Sequence, residues 1–171
     1  MGLNGWLHPD FAPLAESFGR EVAAYPGGAG LCVYRGEQCV VDLWGGVRDA
    51  AGRPWLRETL APSFSTTKGV ASTLVHIAVD RGLLDYDAPV SRYWPEFGAA
   101  GKSAITLRQV LSHQAGLYSI RQMIDDAGRM LDWEHMVRAI ERARPVHPPG
   151  ERTGYHGLTY GFIVGEILQR V

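Results

Sequence analysis

Phe11, Leu14, Ala15, Phe18 and Val22 recur at three- and four-residue steps, which predicts an amphipathic helix from about Pro9 to Ala24. Pro26-Gly27-Gly28 breaks that pattern, and the period then shortens. Two runs rich in Val, Leu and Tyr, near Gly30 to Tyr34 and Gln38 to Trp44, read as strands joined at Arg35-Gly36-Glu37. Gly45-Gly46 ends the second strand, and a polar loop through Asp49, Gly52 and Pro54 follows.

A helical period returns after Ser65. It places Val70, Leu74, Ile77 and Ala78 on one face and stops at Arg81-Gly82, a cation followed by a C-cap glycine. Asp87-Ala88-Pro89-Val90 starts a short helical turn that Tyr93-Trp94-Pro95 leaves. Thr106 is placed to cap a helix through Leu111, with Gly116 beyond its end. Asp132 is placed to cap another that carries Trp133, Met136, Val137 and Ile140. Pro145, Pro148, Pro149 and Gly150 form a rigid linker, and a last helix carries Ile163, Val164, Ile167, Leu168 and Val171. The order is therefore helix, hairpin, then a long helical region. Two strands alone make no stable sheet in water, so the hairpin is expected to need partners from outside the visible sequence.

Composition narrows the function classes. With 171 residues the chain suffices for one domain, taken as residues 1–171. Hydrophobic residues make up 46% and charged residues 20%, a globular balance. Seventeen basic against eighteen acidic residues give a net charge of −1, so neither nucleic acid nor an anionic membrane is an expected partner. The N-terminus, Met1-Gly2-Leu3-Asn4-Gly5-Trp6, carries no signal-peptide pattern, and no apolar run is long enough to span a bilayer. Turning through Gly36-Glu37 would pair Tyr34 with Cys39 and Cys32 with Val41, so the two sulfurs are not expected to face each other. Reduced thiols in a cytoplasmic protein are the expectation.

The chemistry concentrates at Ser65-Thr66-Thr67-Lys68. Residues at i and i+3 share a helix face, so the hydroxyl of Ser65 and the amine of Lys68 can meet there. A serine hydroxyl needs a nearby base to act as a nucleophile, and an ammonium becomes one only when its surroundings lower its pKa. This is an S-x-x-K arrangement. A plain alternative is that Ser65 caps the helix and Lys68 is solvated.

Other motifs fail on spacing. Gly101-Lys102-Ser103 lacks the first glycine of a phosphate loop, because Glu96 stands there. No serine has glycines at both −2 and +2, which removes a nucleophile elbow. The six histidines show no paired ligand spacing, so no metal is implied. His113 and His156 are read as makers of structural hydrogen bonds rather than as catalytic groups.

Six segments in order resemble the serine β-lactamase-related family, which includes class C β-lactamases, D,D-peptidases and family VIII carboxylesterases. They are Asp42-Leu43-Trp44-Gly45-Gly46, Phe64 to Lys68, Gly82-Leu83-Leu84-Asp85, Tyr93 to Phe97, Thr106 to Leu117 and Pro149 to Gly157. The resemblance implies an α+β fold of the β-lactamase/D,D-peptidase type. It also implies acyl-enzyme chemistry on a small-molecule ester or amide, without metal or organic cofactor. Ser65 would be the acylated nucleophile, Lys68 would hold or take its proton, and Tyr155 would assist as general base. The family's second motif usually reads Tyr-x-Asn, whereas Tyr155-His156-Gly157 offers no amide side chain, which points toward an ester rather than a β-lactam. The family's chain continues past the last helix seen here, so the resemblance covers an N-terminal part. The expectation is a fragment or truncated gene product lacking the C-terminal sheet strands, with inactivity of the chain alone as one outcome. β-Lactamase or D,D-peptidase activity and a non-catalytic binding module are the alternatives.

Overall fold

A computed structural model describes residues 2–171, and it divides into two compact units, Met1–Pro62 and Ser63–Val171. The first opens with strand β1 (Asn4–Leu7), a single 3-10 turn at Pro9–Phe11, and helix α1 (Ala12–Ala24). Strands β2 (Gly28–Arg35) and β3 (Gln38–Gly46) form the expected hairpin, each longer than its apolar run. The sheet is three-stranded, in the order β1-β3-β2, and antiparallel throughout. The hairpin therefore finds one partner within the chain: β1 pairs Asn4 with Trp44 and Leu7 with Val41. Asn4-Gly5-Trp6-Leu7 holds only two large apolar residues, too short a run for periodicity to reveal. The core of this unit is Val40, Val41 and Leu43, covered by Leu14, Phe18 and other α1 side chains.

Consecutive Val40 and Val41 are both fully buried, which a regular strand covered on one face does not produce. The register explains it. Val33 faces Val41 and Tyr34 faces Cys39, which leaves Val40 as the extra residue of a β-bulge. Cys32 consequently lies opposite Asp42, not Val41 as the regular register predicts.

The second unit is helical. A 3-10 turn (Phe64–Thr66) leads into α2 (Thr67–Asp80), followed by α3 (Leu107–Leu111), α4 (Trp133–Arg142) and α5 (Thr159–Gln169). Thr106 and Asp132 cap α3 and α4 as their side chains predict. The Thr106 hydroxyl accepts from the Gln109 amide, and the Asp132 carboxylate accepts from the His135 amide. Gly82, at φ +72°, ends α2 in the left-handed region where glycine has no steric penalty. The last helix stops at Gln169, so Val171 lies beyond it and is exposed.

Trp94, Phe97, Leu107, Leu117, Ile140 and Ile163 sit fully buried at the centre of this unit. Lys102 is also fully buried, and its ammonium donates to the carbonyls of Ala99, Glu141 and Ala143 at 2.6–2.8 Å. Burial pulls its pKa down to about 8. The residue that mimicked a phosphate loop is thus a staple across the end of α4.

One apolar stripe is oriented differently from expectation. Val75 and Ala78 of α2 are buried, whereas Val70, Leu74 and Ile77 are 63%, 51% and 42% exposed. The sequence spacing identified an apolar face, but the helix core is the neighbouring one.

Candidate active site

Ser65 lies in the 3-10 turn and Lys68 in the first turn of α2. Neither Ser63 nor Thr66, the capping positions of the two segments, uses its side chain as a cap. The Ser65 hydroxyl is likewise not spent on backbone capping. Lys68 Nζ donates to Ser65 Oγ at 3.3 Å and to the carbonyl oxygen of Gly157 at 2.8 Å. Phe64, immediately before the serine, has φ +40° and is 81% exposed. A non-glycine residue in that region is strained, and such strain gathers where surrounding structure fixes a functional turn.

Tyr155 reaches the same oxygen from ninety residues away, its hydroxyl donating to Ser65 Oγ at 2.8 Å. A serine oxygen offers two lone pairs, and the amine and the phenol occupy them together. The three predicted residues are thus brought to one point.

The tyrosine loop is stitched to the turn after α3. The Gly154 amide donates to the His113 carbonyl at 2.9 Å, and the His156 amide donates to His113 Nδ1 at 3.2 Å. His113 also sets its ring edge-on to Tyr155, with centroids 5.0 Å apart. From the other side, the Leu117 amide donates to His156 Nε2 at 2.9 Å, and the Thr159 hydroxyl donates to the Leu117 carbonyl at 2.7 Å. His113 makes these contacts at φ +61°, a conformation uncommon for histidine. Gly154 has no room for a side chain, since a Cβ there would overlap the ring of Tyr118.

Electrostatics follows this geometry. The Ser65 hydrogen bond and the Lys68 ammonium hold the Tyr155 phenol below its ordinary pKa, and partial desolvation opposes them. The ammonium also lies 5.0 Å from the centroid of the tyrosine ring. Burial, then the charge of Lys68, lowers His113, while burial brings His156 down to about 4. Both imidazoles are therefore neutral near pH 7, as their role as acceptors of backbone N–H groups requires.

A cavity of about 470 Å³ opens beside Lys68 between α2 and α3, reaching Ser72, His76 and Arg108. It touches Lys68 and His113 but not Ser65 or Tyr155, so it adjoins the reactive oxygen rather than enclosing it. Among the described residues no group of three or more His, Cys, Asp or Glu side chains is arranged to hold a metal ion.

The spacing of Ser65 and Lys68 was legible because it is local, and Tyr155 was placed only through the resemblance. The positioning role of His113 and His156 around Tyr155 had no such signal. Both were expected to make structural hydrogen bonds, and they do, but the bonds lie against the candidate base.

The Beta-lactamase family model matches residues 18–171. The chain belongs to the beta-lactamase family. Within that family it is 39% identical, over 98% of its own length, to the esterase/beta-lactamase LipL of Mycobacterium tuberculosis. A family VIII carboxylesterase crystal structure superposes with a TM-score of 0.87 at 38% identity over 99% of the chain. A penicillin-binding protein homolog from Caulobacter crescentus gives 0.92 at 39% identity over the whole chain. The α+β fold is thus of the β-lactamase type. The chain spans 39% of the length of LipL and 46% of each of those two solved chains. Among the described residues no helix is long and apolar enough to cross a membrane.

Proposed function

We propose that this protein is a carboxylesterase-like serine hydrolase, with Ser65 as nucleophile and Lys68 and Tyr155 as its proton carriers. The observation that carries the reading is the convergence of Lys68 Nζ and Tyr155 Oη on Ser65 Oγ. Residues 1–171 would form part of one β-lactamase-related domain, acting on a small-molecule ester in the cytoplasm.

The chemistry runs as two acyl transfers. The Ser65 oxygen bonds to the ester carbonyl carbon while its proton passes to the phenolate form of Tyr155, stabilised by the Lys68 ammonium. Collapse of the tetrahedral intermediate breaks the bond to the leaving oxygen, which takes that proton and departs as an alcohol. Water then attacks the acylated serine, Tyr155 again accepting a proton, and the acid is released with Ser65 restored. The phenol donates to Ser65 in the resting arrangement, and the same 2.8 Å contact serves transfer in the reverse sense. The esterase names of the relatives support an ester as substrate, as does a second motif ending in Gly157, which meets the site through its main chain and has no side chain to offer a substrate amide.

These residues carry acylation, so the test reads acylation rather than turnover. Intact mass spectrometry after incubation with a short-chain p-nitrophenyl ester or a fluorophosphonate should show one covalent adduct, absent from Ser65→Ala. No adduct on the folded chain, or one that persists in Ser65→Ala, would overturn the reading. Faster acylation by a cephalosporin than by the ester would replace the esterase with a β-lactamase on the same serine.

A further inference from the structure

The hairpin of the first unit carries the chain's only two cysteines, seven residues apart. A regular register would put Cys39 on the same face as Val41, which is fully buried. The bulge at Val40 shifts the phase by one residue and turns Cys39 to the outer face, opposite Tyr34. Cys32 lies on that outer face two residues from Tyr34, so the two thiols are diagonal neighbours across the strand pair. Their sulfurs are 3.9 Å apart, with Cys32 exposed and Cys39 partly so. No bond joins them. A disulfide has an S–S length of about 2.05 Å, so closure requires the sulfurs to approach by roughly 2 Å.

We propose that Cys32 and Cys39 form a dithiol modification site, which low-molecular-weight disulfides of the glutathione type convert into an intrachain disulfide. One thiol loses its proton and attacks a sulfur of the small disulfide, expelling one small thiol and leaving a mixed disulfide on the protein. The second cysteine, also deprotonated, attacks the protein sulfur of that mixed disulfide and expels the second small thiol. Two protein thiols are oxidised and one small disulfide is reduced to two thiols. The site is independent of Ser65, and its oxidation does not depend on hydrolysis.

The test uses the full 171-residue chain equilibrated with oxidised and reduced glutathione, then quenched with acid and digested with trypsin without reductant. Arg35 lies between the cysteines, so cleavage there separates them into two peptides that only a Cys32–Cys39 bond can hold together. The expected product is that linked pair, with the thiol count falling from two to none. The folded chain should hold its disulfide against at least ~10-fold more reducing glutathione ratios than the chain in concentrated urea, about 30 mV for this couple. Cys32→Ser and Cys39→Ser should each stop at a glutathione adduct on the remaining cysteine. Glutathione adducts without a linked pair, free thiols throughout, disulfides between chains, or equal closure in urea would each overturn the proposal.

Discussion

The two halves of the candidate site are built in opposite ways. Ser65 and Lys68 are three residues apart, and a single helical turn brings them together whatever the rest of the chain does. Tyr155 arrives on a loop whose place is set by contacts to residues 113, 117 and 118, some forty positions earlier. The local half should therefore fail only when its own side chains change. The assembled half should fail at several positions that never touch Ser65.

The largest expected effect lies in the local half. Lys68→Ala removes the amine from Ser65 Oγ and the charge that lowers the Tyr155 phenol, and it should slow acylation by about 10³-fold. Stopped-flow release of p-nitrophenol measures this, with circular dichroism expected to match the parent. Next comes Gly154→Val. Its side chain would displace Tyr118 and drag the loop with it, costing about 10²-fold in acylation while Ser65 and Lys68 stay in contact. If Gly154→Val acylates at the parental rate, the loop is not what positions the phenol.

His113→Ala deletes the Nδ1 acceptor and the ring against Tyr155, and about tenfold slower acylation is expected. A positioning role further requires that ultraviolet titration of the tyrosines shows one phenol moving upward in this variant. His113→Asn, which tolerates the left-handed backbone and retains an acceptor, should recover part of both effects.

The smallest effect is one of stability with pH. His156 is fully buried and its folded-state pKa is about 4, below the ordinary 6.5. Between those values the unfolded chain binds a proton that the folded chain refuses, so stability falls as pH drops through 6.5 and the loss levels off below about 4. Urea midpoints across that range should show this decline in the parent and a shallower one in His156→Gln, whose side chain can still accept from the Leu117 amide.

The same contrast explains how much could be read beforehand. α3 and α4 were legible because Thr106 and Asp132 sit where a cap must be, ahead of an apolar period. β1 was not, since four residues with two large apolar side chains carry no period and the strand is defined by its pairing to β3. The bulge at Val40 was equally invisible, because an extra residue in a ladder exists only relative to a partner strand. On α2 only Ala78 of the four residues placed on the apolar face is core, because which stripe is buried depends on what packs there, and Val75 took the place of Val70, Leu74 and Ile77. Within the site, the serine–lysine spacing was written in four letters, whereas Tyr155 became visible only beside known relatives.

Apart from Ser65, Lys68 is moored to the main chain at position 157 rather than to a side chain there. Evolution or an engineer can thus rewrite that position without cutting the mooring, and a Cβ there would meet nothing closer than the Tyr155 ring at 3.5 Å. Position 157 is consequently a tunable one, where a side chain can change while the serine, the amine and the phenol keep their contacts.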